Sequence, residues 1–518
     1  MTNKIELHGL KVDSQILTNS RALVSAFVQH KNIVVREAGA GKPEEKEYPD
    51  SECPAVILIE AETLTDPGWI RGKWIVENRE TETVLMSAEE IEFLGDLPVA
   101  GRETTIQVAV KQVICRLLAR VTGMMPPWGI MTGIRPGKLV TAMHKLGIPE
   151  TDQERVLSRK YLVVPEKIRL LQTVFSVQEP FQPQTKKQQR FVSLYISVPF
   201  CPSRCSYCSF AFAESTGQDS TISGYLSALV REIELAGGLL TRTSFLVNHL
   251  YIGGGTPTVL DSARLEILLK KIKAEIPLAD DVEYTVEAGR PDTMNQEKLL
   301  CLKRYGVNRL SINPQSMNDG TLRAIGRRHT VQDILDCYAL AREIGDWIIN
   351  MDIILGLPGE GPEEVEQTVR AVLSLKPDNL AVHAMSLKRR SKQWEAGAAI
   401  NGGVLWQEVQ EGVFRKIQQA GYGPYYLYRQ KNISGNLENV GFCLPGKEGR
   451  YNIAVIEENQ NILGLGAGAC SKIMAEDFAG HQNIYQPIDV LTYMEGYERV
   501  HARRSKLFYS SEIKRNMV

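Results

Sequence analysis

Three cysteines, Cys201, Cys205 and Cys208, lie within eight residues of the chain in the spacing C-x3-C-x2-C. Nine of the 518 residues are cysteine, and random placement would produce this spacing only about 0.003 times in such a chain. Thiolates bind zinc and iron–sulfur clusters, so the stretch indicates a metal centre. No histidine or further cysteine lies close to it in the sequence.

The number of donors favours one kind of centre. Structural zinc usually takes four protein ligands as two close pairs, so a zinc site here would need a distant fourth residue. A 4Fe-4S cluster is usually held by four thiolates, and three would leave one iron open to another ligand. An open iron is useful in a catalyst. We therefore expect a 4Fe-4S cluster on the three cysteines, with a completed zinc site as the alternative.

The spacing, with the aromatic Tyr207 before the last cysteine, resembles the signature of radical S-adenosylmethionine (SAM) enzymes. The resemblance implies that the amine and carboxylate of SAM chelate the open iron. It also implies that transfer of one electron splits the sulfonium to give a 5′-deoxyadenosyl radical.

The cysteines follow the first of six short apolar or β-branched segments that alternate with amphipathic stretches. The six segments are Leu194–Val198, Leu250–Ile252, Tyr284–Val286, Arg309–Ile312, Ile349–Leu355 and Leu380–Val382. Such alternation predicts a parallel sheet with right-handed crossovers. Six units are too few for a closed eight-stranded barrel, so we predict an α/β fold built on a partial (β/α)6 barrel.

Further candidate ligand groups follow the next strands, where such folds bind ligands. Gly253–Thr258 follows the second strand, Glu287 ends the third, Gln315 follows the fourth, and Asp352 lies in the fifth. Consecutive glycines admit a ligand close to the backbone, which suits the methionyl amine. Carboxylates at strand ends can accept hydrogen bonds from ribose hydroxyls. A tight turn, a helix cap or an ion pair is the structural alternative for these positions.

Arg327 belongs to the basic stretch Gly326–His329. A guanidinium matches a carboxylate with two parallel hydrogen bonds, so Arg327 is a candidate partner for the carboxylate of the ligand. A solvated basic pair is the alternative interpretation.

The chain divides on composition into four parts. Residues 1–178 are predicted to form an N-terminal α/β domain of unknown role, residues 179–190 a linker, residues 191–390 the barrel, and residues 391–518 a C-terminal α+β extension. The N-terminal part has predicted strands and helices at Lys4–His8, Ala55–Ile59, Gly72–Val76, Thr105–Val121 and a basic Lys138–Lys145. For the basic helix we favour a packed connector over a partner or nucleic-acid surface.

The formal net charge is −1, so neither a nucleic acid nor a membrane surface is expected as a partner. No run of apolar residues is long enough to span a membrane, and the first residues lack the apolar core of a signal peptide. The remaining cysteines are scattered singly, as in a reducing compartment. These observations predict a cytoplasmic protein.

Several stretches together resemble the oxygen-independent coproporphyrinogen III oxidase family. They are Ser193–Cys201, Gly253–Thr258, Arg309–Ser316, Asn350–Pro358 and Leu463–Ala469. The extra N-terminal domain, with Thr285–Asp292 and Tyr428–Asn432, resembles the coproporphyrinogen dehydrogenase HemZ branch of that family.

The resemblance implies a site and a reaction. Cys201, Cys205 and Cys208 would hold the cluster, and the SAM site would consist of Tyr195, Tyr207, Gly254, Gly255, Thr256, Glu287, Gln315, Arg327 and Asp352. The family reaction removes a hydrogen atom from the β-carbon of a propionate. Loss of an electron and CO2 then leaves a vinyl group, and two such conversions give protoporphyrinogen IX. A tetrapyrrole substrate and a flavodoxin- or ferredoxin-like one-electron donor are the implied partners.

One position departs from the pattern of the oxidases. They carry a further cysteine two residues after the third ligand, where this chain has Phe210. The heme-chaperone branch of the family also lacks that cysteine. Two alternatives to the decarboxylase therefore stay open: a heme-binding chaperone, and a radical SAM enzyme that acts on another tetrapyrrole by methyl transfer or ring opening.

Overall fold

The computed structural model describes most of the chain. The described residues are 5–10, 20, 23–24, 27, 33–37, 55–61, 69–76, 79–97, 103–133, 135–182, 190–209, 213–215, 217–386, 391–392, 404–430, 433, 437–474 and 480–516. Phe210 and residues 183–189 of the predicted linker lie outside them.

The chain forms two compact units. The first comprises Met1–Ser176, Ala399–Glu408 and Leu427–Glu438. The second comprises Val177–Ala398, Val409–Tyr426 and Asn439–Val518. Two short segments from late in the chain thus belong to the first unit, which no sequence pattern indicates.

A five-stranded sheet, in the order β2-β1-β3-β4-β5, lies in the first unit. Its strands are β1 (Ile5–Leu10), β2 (Ile33–Glu37), β3 (Ala55–Ala61), β4 (Trp69–Val76) and β5 (Arg79–Ser87). Strand β1 is parallel to both neighbours, whereas β3, β4 and β5 pair antiparallel. The three strands predicted in this region are present, and β2 and β5 are additional.

Several helices follow these strands in the chain. They are Ala88–Asp96, Thr105–Thr122, Gly137–Lys145, Glu150–Arg155 and Pro165–Gln178, with a π-helical turn at Val156–Lys160. The second of them packs closely on β4 at Gly72. A Cβ atom at Gly72 would lie 2.7 Å from Val113 Cγ1, so the absence of a side chain permits the contact.

The barrel strands belong to an eleven-stranded sheet. Its strand order is β14-β15-β13-β12-β11-β10-β9-β6-β16-β17-β18. Its strands are β6 (Phe191–Val198), β9 (Leu246–Gly254), β10 (Leu278–Glu287), β11 (Arg309–Ser311), β12 (Ile348–Leu355), β13 (Asn379–Ala384), β14 (Gly423–Tyr428), β15 (Asn439–Cys443), β16 (Asn461–Leu465), β17 (Cys470–Met474) and β18 (His481–Tyr485). The short strands β7 (Phe200–Cys201) and β8 (Ala213–Glu214) form a separate pair.

The later helices are Asp219–Arg242, Ser262–Glu275, Gln296–Arg304, Asp319–Ala324, Val331–Ile344, Pro362–Leu375, Val404–Gln419, Arg450–Glu457 and Val490–Asn516. Side chains cap several of them: Asp261, Asn295, Asn318 and Thr330 each accept a hydrogen bond from a backbone N–H of the first turn. Such caps satisfy amides that have no partner within the helix, and they define where each helix begins.

The predicted fold class is confirmed. The six predicted strands correspond to β6 and β9 to β13, which are consecutive neighbours in the sheet and pair in parallel. Strand β16 adds a seventh parallel strand beside β6. The C-terminal strands therefore extend the barrel sheet at both edges and do not form a sheet of their own. Among the described residues, no helix is both long and apolar enough to cross a bilayer.

Candidate functional site

The cysteine stretch begins at the carboxyl end of β6 and is held against the turn before Arg327. Ser203 Oγ donates to Gly326 O at 2.8 Å, and Ser206 N donates to Ile325 O at 3.0 Å. Gly326 has a φ of +82°, and a Cβ there would lie 2.9 Å from Arg204 O. Cys201 and Cys205 are buried and Cys208 is half-buried, so all three thiols are held in one loop.

In the part of the chain that the structure describes, no three His, Cys, Asp or Glu side chains converge on one ion. In a 4Fe-4S cluster each thiolate binds a different iron, so the thiols need not converge on one point.

A buried arginine that the sequence did not single out contacts this loop. Arg290 Nη2 donates to Ser203 O at 2.8 Å and lies 3.1 Å from Cys205 Sγ. Burial alone would raise the pKa of the Cys205 thiol, but the nearby guanidinium groups of Arg327 and Arg290 outweigh burial, and the pKa is lowered. For Cys201, burial is the largest cause and raises the pKa to about 11.

The glycine-rich stretch after β9 packs directly on the start of the cysteine loop. Thr256 N donates to Phe200 O at 2.7 Å, and Thr256 Oγ1 lies 3.4 Å from Cys201 Sγ. A Cβ at Gly255 would lie 2.4 Å from Phe200 O. Gly254 has a φ of +111°, in the region that favours glycine. These glycines are therefore required for the packing itself, apart from any role in ligand binding.

Glu287 ends β10 beside Gly253. Burial, and then the charge of Asp352, raises the pKa of the Glu287 carboxyl to about 7, although a hydrogen bond from Tyr251 opposes the shift. Tyr251 also stacks on two other tyrosines, with ring centroids 6.2 Å from Tyr195 and 4.6 Å from Tyr451. Tyr251 and Tyr451 were absent from the predicted site.

Gln315, which follows β11, meets Asp352 within β12. Gln315 N donates to Asp352 O at 2.8 Å, and Gln315 holds a φ of +67°, which is uncommon for a residue with a side chain. Asn350 Nδ2 donates to Asp352 Oδ1 at 2.7 Å. His383 Nε2 lies 3.7 Å from Asp352 Oδ2. Neither Asn350 nor His383 was predicted.

The guanidinium of Arg327 already makes hydrogen bonds within the protein. Its Nη1 donates to Gly289 O at 3.1 Å and to Asn313 O at 2.6 Å, and its Nη2 lies 3.4 Å from Tyr207 OH. The predicted residues Tyr207 and Arg327 are thus neighbours. Pairing of Arg327 with a ligand carboxylate stays a prediction.

Three buried atoms of this region have no hydrogen-bond partner among the described residues: Arg290 Nη1, Gln315 Oε1 and Arg327 Nε. Buried polar atoms rarely lack a partner in folded proteins, so such atoms in a polar strand-end region suggest an absent ligand. The two arginine N–H groups and the three thiols fit an anionic iron–sulfur cluster, and the Gln315 oxygen could accept a hydrogen bond from a polar cofactor beside it.

Comparison with known proteins places the chain in a family. A model described as the Radical SAM superfamily matches residues 195–372. Over 424 residues the chain is 39% identical to the oxygen-independent coproporphyrinogen-III oxidase-like protein HemZ of Bacillus subtilis strain 168. The match covers 81% of this chain and 84% of that protein. The chain belongs to this HemZ family of radical SAM enzymes.

The HemZ family membership makes the protein a radical SAM oxidoreductase, and a radical SAM domain implies a 4Fe-4S cluster and SAM. Two further relatives carry different names. The heme chaperone HemW of Lactococcus lactis is 32% identical over 54% of this chain and 68% of its own length. The anaerobic coproporphyrinogen III oxidase 1 of Cereibacter sphaeroides is 33% identical over 39% of this chain and 45% of its own length.

Proposed function

We propose that the protein converts propionate side chains of coproporphyrinogen III to vinyl groups without oxygen, giving protoporphyrinogen IX. Each conversion removes one hydrogen atom from the β-carbon of a propionate, and the resulting radical then gives one electron to an external one-electron acceptor. The C–C bond to the carboxylate then breaks and releases CO2. The hydrogen atom is taken up by the 5′-deoxyadenosyl radical, which becomes 5′-deoxyadenosine.

In this proposal Cys201, Cys205 and Cys208 hold the 4Fe-4S cluster. The support is the burial of Cys201 and Cys205, with Cys208 half-buried in the same stretch, together with the contact of Arg290 with Cys205 Sγ. When bound, the cluster supplies the electron that splits SAM. The electron comes from a one-electron donor protein of the flavodoxin or ferredoxin kind.

The SAM-binding groups would come from four strand ends. The backbone of Gly254, Gly255 and Thr256 binds the methionyl amine, which these glycines can approach without a Cβ in the way. Glu287 and Asp352 accept hydrogen bonds from hydroxyls.

Three more side chains complete the proposed pocket. The buried Gln315 Oε1, which has no partner among the described residues, offers one more acceptor. Arg327 contributes positive charge toward the ligand carboxylate through its Nε, because its Nη1 already donates to carbonyls. The ring of Tyr195 lies in the tyrosine stack beside them.

The extent of the HemZ match supports the proposed reaction over the chaperone role. It spans 81% of this chain, including much of the chain outside the matched radical SAM model at residues 195–372. The HemW match spans only 54% of the chain. Because the identity to HemZ continues outside residues 195–372, it supports a shared substrate as well as shared radical chemistry.

A heme chaperone is the second candidate, and two observations favour it. Phe210 stands where the oxidases carry a cysteine, and HemW proteins are among the relatives. A chaperone would bind heme and would not release CO2.

One anaerobic incubation separates the candidates. The reconstituted protein is mixed with coproporphyrinogen III, SAM and dithionite, and the products are separated by liquid chromatography. We expect protoporphyrinogen IX with 5′-deoxyadenosine, and neither from Cys205→Ala, whereas Cys301→Ala serves as the matched active control. Heme that co-purifies with a protein showing no turnover would favour the chaperone. A methylated or ring-opened tetrapyrrole would favour the third alternative.

A further inference from the structure

Arg290 contacts the loop of the three cysteines through its side chain. It lies in the loop after β10, and its side chain reaches back to the cysteine loop. Nη2 contacts Ser203 O at 2.8 Å and Cys205 Sγ at 3.1 Å. The residue is only 3% exposed. Water therefore screens its charge very little.

The other terminal nitrogen of Arg290 supports an anionic neighbour. Nη1 is buried and has no hydrogen-bond partner among the described residues. A buried guanidinium N–H without an acceptor is costly. An inorganic sulfide or thiolate of a bound cluster would supply the acceptor beside Cys205.

We propose that Arg290 raises the reduction potential of the 4Fe-4S cluster by donating to the Cys205 thiolate. This inference rests on the proposed function, in which Cys205 is a cluster ligand. One electron, taken from the donor protein or from dithionite in the test, makes the cluster and its thiolates more negative. A fixed cation at a thiolate stabilises that reduced state more than the oxidised state. Hydrogen bonds to cluster sulfurs are among the determinants of such potentials.

Arg327 is a second cation beside Cys205. Its terminal nitrogens also serve other groups, since Nη1 donates to the Gly289 and Asn313 carbonyls and Nη2 lies 3.4 Å from Tyr207 OH. Arg290 Nη2 lies within hydrogen-bond distance of Cys205 Sγ, at 3.1 Å. Arg290 is therefore a positioning residue with a direct contact to the thiolate.

The test is a redox titration of the reconstituted full-length protein, followed by the electron paramagnetic resonance (EPR) signal of the reduced cluster. We expect Arg290→Gln to lower the equilibrium constant for reduction at least tenfold, which is about 59 mV for one electron. Arg290→Lys keeps the charge and should show a smaller shift. The control Arg323→Gln removes an exposed arginine and should leave the potential unchanged. An unchanged potential in Arg290→Gln with full iron content would overturn the inference.

A second measurement does not depend on the folding of Arg290→Gln. Wild-type protein labelled with 15N-arginine should show a hyperfine coupling between the reduced cluster and a guanidinium nitrogen in pulsed EPR. Arg290→Lys should weaken it, and Arg327 beside Cys205 accounts for any coupling that remains. Absence of the coupling in the wild type, or an unchanged coupling in Arg290→Lys, contradicts the inference. Iron retained by Cys205→Ala contradicts the proposed cluster ligands instead, so the two failures are distinguishable.

Discussion

The hydroxyl of Tyr251 donates a 2.6 Å hydrogen bond to Glu287 Oε1 at the carboxyl end of the barrel strands. Even with this donor, burial and the charge of Asp352 raise the pKa of Glu287 from 4.5 to about 7. The folded protein without ligand thus keeps a proton that the unfolded chain releases at a lower pH. The contribution of Glu287 to stability is complete below about pH 4.5 and is lost as the pH rises through about 7.

The first prediction concerns SAM binding and pH. If ionised Glu287 accepts two hydrogen bonds from SAM, affinity should increase as the pH rises toward and through 7, by up to about tenfold per unit below the pKa. Binding should release a proton, which calorimetry in buffers of different ionisation enthalpy measures. The same carboxyl makes the ligand-free protein lose stability over that range.

Glu287→Gln is the matched control, because it keeps the shape of the side chain and cannot titrate. Both the pH dependence of affinity near 7 and the proton release should disappear. A wild-type affinity that does not change between pH 6 and 8 would remove Glu287 from the ligand contacts.

The second prediction concerns the close packing of Gly255. The missing side chain lets the backbone of Phe200 approach, since a Cβ would lie 2.4 Å from Phe200 O. Gly255→Ala should therefore displace the cysteine loop and reduce the iron content after reconstitution, with a loss of stability of about 2–4 kcal/mol. Thermal unfolding and iron analysis measure the two effects.

A helical glycine gives the comparison. Gly412 lies in the helix Val404–Gln419, and a Cβ there meets nothing within 4 Å. Gly412→Ala should stabilise the protein by about 0.5–1 kcal/mol. If Gly255→Ala behaves like Gly412→Ala, the glycine is not needed for the loop to pack.

Residue spacing predicted much of the barrel because its signals are local. Each strand is a short apolar segment followed by a turn, so the six parallel strands could be inferred, with Glu287 at the end of the third and Asp352 within the fifth. Strand β16 was missed as a barrel neighbour because its pairing with β6 joins segments far apart in sequence, such as Gly464 with Tyr195. No local pattern encodes that pairing.

The contacts that complete the site were harder to predict for the same reason. Arg290 contacts Cys205 across 85 positions of sequence. Tyr451 comes from a helix far along the chain, yet its ring stacks on Tyr251. Arginine and tyrosine are common in solvated loops and in cores, and only the folded arrangement distinguishes these two. The predicted residues themselves lie together at the strand ends, and their roles await the experiments.

The third prediction tests the cluster ligands. Cys201→Ala, Cys205→Ala and Cys208→Ala should each lose the brown absorption and the iron, because three thiolates are the minimum that leaves one iron open. Cys301→Ala and Cys470→Ala should keep both. Normal iron content in any of the first three variants would show that the assigned ligand set is wrong.

The last prediction separates ligand binding from structure at Glu287 and Asp352. A hydrogen bond to a charged group contributes about 1.5–3 kcal/mol, so Glu287→Ala or Asp352→Ala should weaken SAM binding roughly 10- to 150-fold with the cluster intact. The change in the cluster spectrum on adding SAM measures the affinity. Asp336→Ala, at an exposed helix position, should leave affinity unchanged.

A purely structural carboxylate would give the opposite pattern, with a lower melting temperature and normal affinity. For Asp352 that pattern is physically reasonable, since Asn350 Nδ2 already donates to it at 2.7 Å and His383 lies 3.7 Å away. Normal affinity at full cluster occupancy would assign Asp352 to the support of the barrel rim. The backbone of Gly254 and Gly255 would then be the better supported part of the SAM site.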